Sequence, residues 1–161
     1  MVVSCSRRRE HGGEGGPEMV VVAGVDSSAH AVKVLSRAID EARRREAELH
    51  VVHVFNPPMI YMEVPIDMGE IAEGERKAVW TQLEPALSRA GVPVTRVDLD
   101  GYPPDVLVAY ATDVDAVVLV LGTRGRGDFA SLILGSTSHR AIQLATCDVL
   151  VVKPDQESAV S

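Results

Sequence analysis

"MVVVAGVDSS" (residues 19–28) is an apolar run of strand length that stops at three consecutive residues of the kind that cap helices. A strand with one wet face would alternate apolar and polar residues. A run apolar at every position suits a strand covered on both faces, as in parallel sheets flanked by helices. The same unit recurs along the chain. "LHVVHVF" (49–55), "VPVTRVDL" (92–99), "DAVVLVLG" (115–122) and "DVLVVKP" (148–154) read as four further strands, the fourth of the five being the most hydrophobic. Arg96 and Asp98 interrupt the third, which places it nearer an edge.

Helical patterns lie between them. Val32, Leu35, Ala38, Ile39 and Ala42 recur at helical spacing opposite Lys33, Arg37, Glu41 and Arg44, which predicts an amphipathic helix from the "DSS" cap to near Glu48. Met68, Ile71, Ala72, Val79, Leu83 and Leu87 mark a second helix, with Pro85 expected to kink or break it. A short third helix starts around Pro104, where a first-turn proline and Asp105 are both favourable. "STSHRAIQLA" (136–145) forms a fourth. The order β-α-β-α-β-α-β-α-β predicts a single doubly wound α/β domain: a five-stranded parallel sheet with helices on both faces, joined by right-handed crossovers. In such sheets ligands bind beyond the carboxyl ends of the strands, where the strand order reverses. The loops after the first and fourth strands lie on that edge.

Composition bounds the rest. At 161 residues there is room for one core. The 46% hydrophobic content with only 4% aromatics favours a Val-rich sheet under Ala/Leu helices over an aromatic-cored sandwich. A formal net charge of −7 opposes broad nucleic-acid binding. No apolar run approaches the roughly 20 residues of a membrane span, and Cys5 and Cys147 form neither a CxxC pair nor a cluster with histidine, so a reduced, cytoplasmic chain is expected. Residues 1–18, with an Arg triplet and glycines but no following apolar stretch, read as a disordered tail, 19–154 as the domain and 155–161 as a flexible tail. Whether translation starts at Met1 or Met19 stays open.

The segment after the fourth strand, "GTRGRGDFASLILGSTSHRA" (122–141), carries the chemistry. Gly122 and Gly125 let backbone approach a ligand, and Gly135-Ser136 opens the last helix, where amide groups and the helix dipole favour an anion. Ser136, Thr137 and Ser138 add hydroxyl donors. The alternative is a tight turn followed by a capping serine. No GxxxxGK[ST] is present, and the turn after the first strand is "AGVDSS" rather than GxGxxG, so neither a P-loop nor a dinucleotide fingerprint is written here.

On these residues the chain resembles the universal stress protein family: "GVDSS" after the first strand, "HVVHVF" in the second, and Gly122-x2-Gly125-x9-Gly135-Ser136, which is similar to the G-2x-G-9x-G-(S/T) signature of the ATP-binding subgroup. The likeness covers roughly residues 19–154. It implies strand order 3-2-1-4-5, a homodimer and an adenine nucleotide (ATP, AMP or cyclic AMP, with Mg²⁺ able to accompany ATP) across the carboxyl edge. It implies that Asp26 accepts from the ribose hydroxyls, although capping the first helix is its other reading. Val54 would meet the adenine edge through its backbone, and Ala23, Gly24 and Val25 would line the same pocket. Gly122 and Gly125 would admit ribose and phosphates, and Gly135, Ser136 and Thr137 would hold the phosphate tail. Arg124 and Arg126 lie within the glycine loop, where either can pair with phosphate, a solvated arginine being the commoner outcome. Some ATP-binding members carry proline where this chain has Gly24, a change expected to loosen the adenine-side wall.

His53, in an apolar strand, reads as a satisfied core histidine, and His30, His50 and His139 as surface residues. Cys147 reads as a small buried filler. No catalytic residue is assigned, since Asp128 alone makes no metal site. A nucleotide-binding regulatory module, a non-binding dimeric interaction protein of the same fold and a slow ATPase all remain open. The open edge "VLVVKP" (149–154) invites pairing of two copies through Val149 to Val152.

Overall fold

A computed structural model describes residues 19–56, 67–123 and 134–154. The tails, Arg124, Gly125, Arg126, Asp128 and most of the stretch between Gly125 and Gly135 lie outside the described residues. The chain runs β1 (Val20–Val25), α1 (Ala31–Arg45), β2 (Glu48–Phe55), α2 (Met68–Leu87), β3 (Val94–Asp100), α3 (Pro103–Asp113), β4 (Val118–Gly122), α4 (Ser136–Leu144) and β5 (Asp148–Val152). All strand pairs are parallel, in the order β3-β2-β1-β4-β5. The sheet therefore reverses direction of winding between β1 and β4.

Alternation along β1 divides its side chains between two cores. Val21, Ala23 and Val25 join Leu35, Ala38 and Ala42 of α1 and Val79 and Leu83 of α2. Val20 and Val22 face the other way, with Leu107 and Ala111 of α3, Leu119 of β4 and Ala141 of α4. Because both faces are covered, β1 and β4 are apolar throughout, and this is why no period-2 pattern appears in their sequence.

Several local expectations are corrected by this packing. Leu35, Ala38, Ile39 and Ala42 are buried as expected, but Val32 is exposed and Ala31 and Val34 complete the apolar stripe of α1 instead. Ile71 is likewise exposed. "DSS" does not cap α1: His30 is the N-cap residue and makes no side-chain capping bond. The helix ends at Arg45, where Glu46 takes the left-handed conformation, with Arg43, Arg44 and Arg45 in the last turn complementing the helix dipole. Pro85 does not break α2, which runs to Leu87; so near the carboxyl end, proline forfeits little beyond one hydrogen bond to the preceding turn.

His50 is no surface residue. Its ring is buried, with Nδ1 2.8 Å from the Tyr110 hydroxyl and Nε2 3.1 Å from a Glu48 carboxylate oxygen. His30 is also engaged, its Nε2 donating to the Val152 carbonyl at 2.8 Å. Cys147 is half-buried rather than enclosed, and burial pushes its thiol pKa up. Among the described residues, no helix is long and apolar enough to cross a membrane.

Gly24 has a packing role that its sequence context hides. A Cβ built there would stand 2.6 Å from Leu121 Cδ2 and 2.9 Å from Leu107 Cδ1. The space that a larger residue would occupy is filled by two core leucines, so the wall is closed rather than loosened. Gly24→Ala is expected to destabilise by about 1–3 kcal/mol through overpacking, read in urea denaturation, with part of the loss recovered by adding Leu121→Val.

Candidate functional site

The carboxyl ends of β1 and β4, the strands flanking the reversal, open into a cleft of about 260 Å³. That is just under the range usual for small-molecule pockets, about 300–1,000 Å³. Gly24, Val25, Asp26, Val54, Gly122, Gly135, Ser136 and Thr137, named from sequence as binding residues, all line it. Ala23 does not: its side chain is fully buried in the core beneath α1, and its neighbours across the sheet are Val51 and Val120. Val25 shares its face of β1 but ends the strand, whereas Ala23 lies two residues short of the carboxyl edge, under the core.

Asp26 leaves the end of β1 and accepts at Oδ1 from the Ser28 amide at 3.0 Å and from the Ser28 hydroxyl. This local turn holds the carboxylate on the cleft wall, five residues before the first residue of α1. Of its two readings, helix capping is therefore absent. Ser28 is itself tied to α2, its carbonyl accepting from Gln82 Nε2 at 2.8 Å.

Opposite, the start of α4 is clamped to the end of β4. The Ser138 hydroxyl donates to the Gly122 carbonyl, the Gly135 amide donates to Thr123 O at 2.7 Å, and the Thr123 amide donates to Val152 O at 2.9 Å. Gly122 and Gly135 thus meet although thirteen positions apart. Gly135 is the N-cap residue, with no side-chain cap, and His139 is the first residue of α4 to bond back within the helix, to Gly135 O. The amides of Ser136, Thr137 and Ser138 therefore stand at the positive end of the helix dipole without acceptors in the helix. Ser136 is the first helical residue and caps nothing, which removes the other reading of the glycine segment at this end.

The third wall comes from β2 and α2, where Val54, Asn56 and Glu75 line the cleft. His53 is the core histidine expected, fully buried, with Nδ1 3.1 Å from Asp98 Oδ1 and Nε2 3.3 Å from Glu75 Oε1. Glu75, Asn56, His30 and the leucines at 107 and 121 were not legible as site residues. Glu75 sits among other acidic residues on α2, and only the packing of that helix against β2 brings it to the cleft. Ser28 was within reach of sequence reading, as part of "DSS". Among the described residues, no group of three or more His, Cys, Asp or Glu side chains is placed to hold a metal ion.

The sequence and the fold match known proteins. Residues 19–153 match the profile of the universal stress protein family. A universal stress protein of Thermus aquaticus, encoded beside a sulfhydrylase gene, is 33% identical over 136 residues, covering 83% of this chain and 97% of that protein. Universal stress protein YxiE of Bacillus subtilis is 28% identical over 144 residues, with the same coverage of both chains. Among solved structures, a universal stress protein in complex with cAMP superposes with a TM-score of 0.65 at 25% identity, covering 85% of this chain and 98% of that one. A universal stress protein from Archaeoglobus fulgidus in complex with dAMP gives 0.64 at 27%, covering 84% and 98%. The chain belongs to the universal stress protein family.

Proposed function

We propose that the chain binds an adenine nucleotide, ATP or its relatives AMP and cyclic AMP, across this cleft and acts as a regulatory stress-response module rather than as a fast enzyme. The observation that carries the reading is the pairing of two features on one cleft wall-to-wall: an acceptor carboxylate at the end of β1, and a helix N-terminus with three amides unengaged in the helix at the end of β4. A ribose bears hydroxyl donors for the first and a phosphate is an anion for the second. Two relatives of this fold were solved with cAMP and dAMP, ligands that share adenine and a phosphate. Gly122, Gly125, Gly135, Ser136 and Thr137 take the phosphate end, with Arg124 pairing there. Asp26 takes the ribose, and Val25, Gly24 and Val54 take the base. Mg²⁺ accompanies ATP through the phosphates.

Among the described residues, no side chain in the cleft is assigned as a nucleophile or general base, and phosphoryl transfer needs such positioned groups. Hydrolysis is therefore slow at most, and product formation no greater than that of a Gly122→Asp variant disposes of it. The chain pairs as a cytoplasmic homodimer through the β5 edge, Val149 to Val152, beside which α4 exposes Ile142 and Leu144. Light scattering is expected to give a dimer at tens of micromolar. Mass spectrometry of the small molecules released on denaturing the purified protein is expected to find an adenine nucleotide. Release of a different class of ligand in stoichiometric amount counts against the reading.

A further inference from the structure

The cleft has a polarity. It is lined both by the N-terminus of α4, which follows β4, and by Glu75 of α2, which bonds to His53 of β2; β1 lies between β2 and β4 in the sheet. Glu75 is held there by a chain of polar groups that runs through the buried His53 to the exposed Asp98. Trp80 Nε1 donates to Asp98 Oδ2 at 2.9 Å, Asp98 Oδ1 lies 3.1 Å from His53 Nδ1, and His53 Nε2 lies 3.3 Å from Glu75 Oε1. The imidazole is fully enclosed and has a carboxylate at each nitrogen. With a hydrogen on each nitrogen it donates both ways, and Glu75 remains an acceptor-only carboxylate on the cleft wall. A linked polar chain of this kind fixes orientation more firmly than one contact does.

An ionised carboxylate repels phosphate, whereas the α4 N-terminus attracts it, so the two ends cannot take the same part of a nucleotide. We propose that Glu75 reads the nucleobase: its carboxylate accepts the exocyclic 6-amino group of adenine, and His53 is the positioning residue that aims it. This deepens, and rests on, the reading of the cleft as an adenine-nucleotide site. A 6-oxo purine turns an oxygen acceptor toward the same carboxylate, leaving two desolvated acceptors face to face, and is rejected.

The test is calorimetric titration of the full chain with AMP, IMP and purine riboside 5′-monophosphate, which carries only hydrogen at carbon 6. Wild type is expected to prefer AMP over either analogue by about tenfold or more, the usual worth of a hydrogen bond to a charged group. Glu75→Gln, whose amide can present a donor, is expected to narrow the AMP-to-IMP ratio by about tenfold, and His53→Gln to narrow it in the same direction. A merely structural role for either residue would weaken all three ligands together and leave the ratio alone. Equal wild-type affinities for AMP, IMP and the 6-hydrogen analogue overturn the inference without touching the nucleotide site, and so does an unchanged ratio in a folded Glu75→Gln. Failure of wild type to bind any of the three overturns both. The comparison of ligands on wild type stands even if neither variant folds.

Discussion

Asp26→Ala is expected to weaken adenine-nucleotide binding by about ten- to a hundredfold, the range of one or two hydrogen bonds to a charged acceptor. The carboxylate is already oriented by the amide and hydroxyl of Ser28, so little ordering remains to be done when a ribose arrives. The same geometry separates function from stability. Because α1 is entered through His30 and not capped by Asp26, the variant loses only a local turn at a partly exposed position. Thermal unfolding without ligand is expected to move by no more than a few degrees, while the ligand-induced shift collapses. A large drop in stability with unchanged affinity would instead make Asp26 a structural residue. Asp26→Asn is the sharper companion, since it keeps an oxygen for Ser28 but removes the charge.

The largest expected effect on stability is at Leu119. It is fully buried in β4, between the paired strands β1 and β5, and its side chain packs with Val20, Val22 and Ala116. Leu119→Ala removes an isopropyl group from a position where a strand hydrogen-bonded on both sides has little freedom to close the cavity. The expected loss is about 3–5 kcal/mol, measured as a lower urea midpoint with an unchanged denaturant slope. By contrast Gln143→Ala, on the exposed side of α4, is expected to stay within about 0.5 kcal/mol. If Leu119→Ala fell in that same range, the division of β4 between two cores would be wrong.

Which parts of this were legible in the sequence follows from the range of the forces involved. The strands were plain because parallel strands covered on both sides must be apolar at every position, and β1, β2 and β4 are nearly so. The strand order itself came from the family resemblance, since periodicity says which segments are strands and not which are neighbours. Helix boundaries were blurred where local chemistry was ambiguous: Asp26, Ser27 and Ser28 are all good caps, but Asp26 and Ser28 bond to each other and leave the N-cap to His30. The histidines show the limit most clearly. His50 and His53 differ in sequence only by position in an apolar run, and apart from Glu48 beside His50 their partners Tyr110, Glu75 and Asp98 lie 22 to 60 residues away. The packing role of Gly24 is hidden for the same reason, because Leu107 and Leu121, which fill its side-chain space, come from α3 and β4.

The spacing of Gly122 and Gly135 is legible in the sequence, and the fold supplies what spacing lacks: the Ser138 hydroxyl and the Gly135 amide pull the start of α4 onto the end of β4. That leaves an anion-favouring helix end across the cleft from Asp26. Isothermal titration of the wild-type chain with ATP, AMP and cyclic AMP tests this arrangement most directly. The account predicts saturable binding of one nucleotide per chain, accompanied by a rise in melting temperature; no heat and no thermal shift with any of the three would contradict it.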